Sequence, residues 1–136
     1  MLYGDKEKLV RCLINILENA VEALSKLDIT SHPNITIETN ETLEDDYVTL
    51  VISNNGPLLD EIDIPKLFES FFTKGKPCGT GLGLASVRRI IILHRGYIAV
   101  NNNYSKKAVS FVLKIPRCKN VDLKKGELIS QFTPPV

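Results

Sequence analysis

A chain of 136 residues with 43% hydrophobic and 24% charged residues fits one soluble globular domain. A net charge of +1 gives no electrostatic footprint for nucleic acid or an anionic membrane. The longest apolar run, 90–93, is too short to span a bilayer, and the opening "MLYGDKEKL" has no apolar core of signal-peptide length. Three cysteines, Cys12, Cys78 and Cys118, form no CxxC pair, and the chain has two histidines. That pattern excludes a disulfide framework and a zinc site and fits a reducing cytoplasm.

Asp5 has the position of a helix N-cap, and Leu9, Leu13, Ile16, Leu17, Ala20, Leu24 and Leu27 recur at helical spacing. They predict a helix over residues 6–27, broken by "DITSHP". Two alternating strands follow, "NITIET" and "YVTLVIS", joined by the acidic turn "NETLEDD". After an irregular stretch, 54–64, Pro65 opens a short helix. A glycine loop leads into a second long helix over 82–94, ended by Gly96. "YIAVNNN" and "AVSFVLKIP" read as a hairpin about "NYSKK". Residues 117–136 lack periodicity and read as a tail or linker, leaving 1–116 as the domain. The order helix, two strands, loop, helix, two strands predicts an α+β two-layer sandwich, helices on one face of a mostly antiparallel sheet.

Four stretches stand out, three for polar or glycine residues that a plain core does not ask for and one for its phenylalanines. In "RCLINILENAVEAL", Asn15 and Asn19 stand one helical turn apart among apolar neighbours, where asparagine is a poor helix former. They read either as loop caps at a helix edge or as paired amide oxygens for a hard cation such as magnesium, with phosphates completing its shell. "VISNNGPLL" ends a strand in a turn; alternatively Asn54 faces a ligand while Gly56 lets it approach. Phe68, Phe71 and Phe72 in "LFESFFTK" read as packing beneath the glycine loop. In "GKPCGTGLGL", Gly79, Gly81 and Gly83 alternate just before a helix start, which suits a phosphate or simply caps the helix. The spacing is GxGxG after a loop, not GxGxxG after a strand, and no GxxxxGK[ST] occurs, so both common phosphate-loop folds are disfavoured.

In order and spacing these segments resemble the ATP-binding catalytic domain of sensor histidine kinases, in the gyrase–Hsp90–histidine kinase–MutL ATPase superfamily. "INILENAVEA" is similar to the N box, "SNNGPLL" to the first glycine box, "KLFESFFTK" to the F box and "GTGLGLASVRRII" to the second glycine box. The resemblance covers residues 4–116. It implies a sandwich of about three helices on a five-stranded mixed sheet, with ATP held between helices and a lid. By the same resemblance Asn19 binds Mg2+, Asn15 sits near metal and phosphates, and Asn54 contacts the adenine amino group. Gly56 and Leu59 shape the adenine pocket, and Gly79, Thr80, Gly81, Leu82 and Gly83 wrap the phosphates. Lys74 and Lys76 lie in the lid, where their charge suits the phosphates.

The implied activity is transfer of the γ-phosphoryl group to a histidine on a separate dimerisation and phosphoacceptor hairpin. A response regulator is the further partner, and the isolated domain is expected to be monomeric. Three departures stand out: Asn54 replaces the usual aspartate, Leu58 replaces a box glycine, and the strand that normally precedes the N box is nearly absent. The last suggests a fragment of a longer kinase. A gyrase- or Hsp90-like hydrolase would need a glutamate where Asn15 stands, and an amide takes no proton. A nucleotide-binding module without catalysis is the other alternative, kept open by Asn54 and Leu58.

Overall fold

The computed structural model describes residues 4–41, 46–70, 72 and 83–117. Helix α1 runs Lys6–Leu24, and the Asp5 carboxylate accepts the Lys8 N–H at 3.1 Å, the expected cap. Its buried stripe is Cys12, Ile16 and Ala20, each one turn from the next. The helix stops three residues before the predicted Leu27. The N–H of Ser25 still reaches Val21, but those of Lys26 and Leu27 bond three residues back, to Ala23 and Leu24. The apolar spacing therefore continues through a tightened last turn rather than through α-helix.

Strands β1 (Ile35–Asn40) and β2 (Tyr47–Asn54) follow, then a 3-10 turn at Ile64–Lys66 where Pro65 predicts a short helix. Helix α2 is Gly83–Leu93, and β3 (Tyr97–Asn103) and β4 (Ala108–Pro116) form the predicted hairpin. The sheet order is β1-β2-β4-β3 with every neighbour antiparallel. The described residues thus hold four strands and two α-helices where the resemblance implies five strands in a mixed sheet and about three helices. The two-layer α/β sandwich itself is as predicted.

Both helices lie on one face. Cys12 and Ile16 of α1 and Val87 and Ile91 of α2 meet Ile52, Val100, Val109, Phe111 and Leu113 of the sheet in one core. Each such side chain removed from water stabilises the fold by about 1.5–3 kcal/mol. Leu59, Ile64, Leu67 and Phe68 extend that layer over the irregular stretch. Phe68 meets Phe111 edge-on with ring centroids 6.5 Å apart, so it is core as expected. Phe71 lies outside the described residues, and Phe72 is half-buried.

The end of α2 differs from its prediction in one physical detail. Arg95, not Gly96, takes the left-handed conformation, with φ 60°. Gly96 is needed for space instead: a Cβ there would stand 2.2 Å from the Lys114 carbonyl oxygen of β4. Beside it His94 is fully buried. Its Nε2 accepts the Asp5 N–H at 3.0 Å, so the ring proton is on Nδ1 and donates to the Ile90 carbonyl at 2.8 Å. The imidazole pins the start of α1 to the end of α2. Among the described residues no helix is long and apolar enough to cross a membrane.

Candidate functional site

Asn15 and Asn19 are half-buried on the side of α1 next to its core stripe. The Asn15 Nδ2 donates to the Gly83 carbonyl at 3.4 Å, and its Cγ would be 4.0 Å from a Cβ placed on Gly83. The middle of α1 and the first residue of α2, 68 positions apart, are therefore in contact. At that end the first-turn N–H groups of α2 have no intrahelical partners. The side chain of Asn19, one turn along α1, makes no hydrogen bond among the described residues. Glu18 is exposed to solvent beside this pair.

Asn54, at the end of β2, is 3% exposed, and its Oδ1 accepts the Gly56 N–H at 3.0 Å. Gly56 is buried where the chain passes the end of α1. A Cβ on it would lie 2.9 Å from Asn54 Oδ1 and 3.0 Å from Ala23 Cβ. The glycine is thus demanded by close packing. Leu59 follows, half-buried against the core. Lys74, Lys76, Gly79, Thr80, Gly81 and Leu82 lie outside the described residues; Gly83 is the described remainder of the glycine loop.

Two asparagines escaped the reading of the sequence. The Asn55 side chain accepts from the Asn34 N–H at 2.7 Å and donates to the His32 carbonyl at 3.0 Å. It latches the segment after α1, where His32 has φ 50°, to the end of β2. Asn102 on β3 accepts the Leu59 N–H at 2.9 Å and donates to the Leu59 carbonyl at 2.8 Å. Register puts Asn54 and Asn102 on either side of buried Val109 in one cross-strand row, both on the helix-covered face. From that row the two amides hold the loop at Gly56 and at Leu59.

A carboxylate and a phenol extend this latch. Tyr104 donates to Glu61 Oε1, and Asn102 Nδ2 lies 3.2 Å from the same oxygen. Those two bonds, the Tyr104 one foremost, hold the Glu61 carboxyl below its usual range. The same contact pushes the Tyr104 hydroxyl up. The missed signal was parity: Asn102 alternates with inward Val100 and Ile98, and asparagine on an inward strand position needs a polar partner.

Among the described residues no three His, Cys, Asp or Glu side chains gather as a metal cage. The donor set at the α1–α2 contact is amide and backbone, suited to a hard cation that arrives with its own phosphate oxygens. Among the described residues the Asn19 side-chain amide is the polar group at this contact that makes no hydrogen bond.

Comparisons with known proteins point the same way. The family described as histidine kinase-, DNA gyrase B- and HSP90-like ATPase matches residues 4–119. The chain is 42% identical over 97 residues to the signal transduction histidine-protein kinase AtoS of Escherichia coli, covering 71% of this chain and 15% of AtoS. It is 30% identical over 117 residues to the sensor histidine kinase CssS of Bacillus subtilis, covering 86% and 23%. It is 30% identical over 142 residues to the sensory histidine kinase/phosphatase NtrB of Rhizobium leguminosarum, covering 98% and 36%. The match therefore spans between 15% and 36% of these relatives' own length. Among solved structures, the catalytic domain of histidine kinase ThkA superposes with a TM-score of 0.72 at 33% identity, covering 85% of this chain and 70% of that one. With its asparagine segment, two glycine segments and phenylalanine segment and this sandwich, the chain belongs to the histidine kinase-, DNA gyrase B- and HSP90-like ATPase family, as an ATP-binding domain of the histidine kinase kind.

Proposed function

We propose that this chain binds ATP with Mg2+ and donates the γ-phosphoryl group to a histidine on a separate helical hairpin of a two-component sensor kinase. The observation that carries the reading is the contact of Asn15 with Gly83, which joins the paired amides of α1 to the glycine-led start of α2. Its relatives are sensor histidine kinases, and it spans a minor part of their length, which fits a donor domain serving other domains.

Asn19 would hold the Mg2+ through its amide oxygen, with Asn15 beside the phosphates. A cation held there would supply positive charge to the phosphates. Asn54, Gly56 and Leu59 form the base side of the cleft. Lys74, Lys76, Gly79, Thr80, Gly81, Leu82 and Gly83 form the phosphate side. The protein's work is positioning and charge complementarity, and no side chain of this cleft forms a covalent intermediate. Hydrolysis is not its purpose, because Asn15 stands where a general base for water would be needed and cannot accept a proton.

Neither histidine suits the acceptor role. His94 is buried with both ring nitrogens engaged, and His32 lies in a loop latched by Asn55. Incubated with γ-labelled ATP, the chain alone should acquire no acid-labile label. Adding the parent kinase's hairpin in trans should place label on the hairpin, from which a response regulator would take it. Label on this chain that disappears on replacing His32 or His94 would overturn the assignment.

A further inference from the structure

We infer that Asn54 presents a hydrogen-bond donor to the six-position of a bound purine, so that 6-oxopurine triphosphates bind at least as well as ATP. The inference rests on the reading above that the base sits against the end of β2. Its own ground is the orientation of one buried amide.

A carboxamide has one acceptor atom and one donor atom, whereas a carboxylate accepts at both oxygens. Here the acceptor is already committed, because Oδ1 takes the Gly56 N–H at 3.0 Å. Turning the amide over would set Nδ2 against that N–H, two donors facing each other in a place where Asn54 is 3% exposed. Nor can the N–H move aside. Gly56 is wedged against Ala23, and the loop beyond is held at both polar groups of Leu59 by Asn102. The orientation is therefore fixed by the protein. What remains at the other end is Nδ2, which donates only and makes no hydrogen bond among the described residues.

The six-position of adenine carries an amino group, also a donor, while guanine and hypoxanthine carry a carbonyl oxygen there. An aspartate in the same setting would serve Gly56 with one oxygen and an amino group with the other. Asn54 serves Gly56 equally well but leaves a donor opposite adenine's donor. Against a 6-oxo group the same Nδ2 forms a hydrogen bond. Exchanging one unmatched pair for one matched pair moves relative affinity by about tenfold or more.

Calorimetric titration of the chain with ATP, inosine triphosphate and guanosine triphosphate, each with magnesium, tests this directly. Inosine triphosphate should bind as tightly as ATP or more tightly. Asn54→Asp should shift the ratio of the two dissociation constants by about tenfold toward ATP. The wild-type ratio needs no variant, so the test stands even where Asn54→Asp fails to fold. A wild-type preference for ATP of about tenfold or more would overturn the inference, as would a ratio unmoved in a folded Asn54→Asp protein. A chain that binds none of the three would overturn the nucleotide reading itself, and this inference with it. Binding of ATP with the wrong ratio removes only the base assignment.

Discussion

The asparagines of α1 and those at the end of the sheet are the same residue put to opposite uses. Asn54, Asn55 and Asn102 each spend their side chains on backbone groups of a loop, with contacts of 2.7–3.0 Å. Asn15 gives one long contact of 3.4 Å, and Asn19 gives none among the described residues. Folding accounts for the first group, apart from the Nδ2 of Asn54. Among the described residues it gives the second group no more than the one contact of Asn15 with Gly83. Asparagine in a helix interior is mildly unfavourable, so a pair one turn apart with so little intramolecular return is what a ligand-facing site looks like.

The comparison breaks first at Asn19. If that amide serves a cation and not the fold, Asn19→Ala should leave stability within about 0.5 kcal/mol of wild type, as for a surface change. Magnesium-dependent ATP binding should fall by about tenfold to a hundredfold, the scale of a hydrogen bond or ligand contact to a charged group. Metal-free nucleotide binding should fall far less. Titrations with and without magnesium, beside a urea melt, read all three quantities. Equal losses in both titrations would remove Asn19 from the metal site.

Asn102 is the converse case. Asn102→Ala strips the Leu59 N–H and carbonyl of their partners at once, in a part-buried place. The unfolding free energy should drop by about 2–3 kcal/mol, since each orphaned group carries its own desolvation cost. Affinity for inorganic tripolyphosphate should not follow, because the loop belongs to the proposed base side. A variant as stable as wild type would show that the latch holds nothing.

The layer order, both hairpins and the core stripe of α1 were legible because alternation and helical spacing report which residues face inward. Asn15, Asn19, Asn54 and Gly56 stood out for the same reason: each breaks an apolar pattern. What stayed hidden depends on partners distant in sequence. Nothing near Gly96 announces that the Lys114 carbonyl will pass within reach of a Cβ. Nothing near Asn102 names Leu59, 43 residues away. The end of α1 falls short of Leu27 for a smaller reason, since a tightened last turn keeps the apolar spacing of the helix it terminates. Likewise a sequence shows that Asn54 is an amide, but only its hydrogen bond to Gly56 shows which end faces the loop.

The smallest expected effect separates the two neighbouring stripes of α1. Cys12 lies on the core stripe, three residues before Asn15, and its thiol is 1% exposed with Sγ 3.9 Å from the Val87 carbonyl. Burial pushes that thiol up from 9.0 to about 11. The sign follows from proton counts. Below pH 9 the thiol is protonated in both folded and unfolded chains and adds no pH dependence. Above it the unfolded chain loses the proton while the folded chain keeps it, so stability falls as pH rises toward the folded value. By pH 10 this one group should have removed about 1 kcal/mol. Other groups titrate in that range, so the measurement is the difference in slope between wild type and Cys12→Ala, from urea melts at pH 8, 9 and 10. The variant is less stable throughout, because a cavity remains, but its curve should be flatter by that amount. Nucleotide affinity per folded molecule should keep the same pH profile in both proteins, because the thiol faces the core and the proposed site lies on the amides beside it. Parallel stability curves would show that the thiol reaches water and that the core stripe is not closed at Cys12.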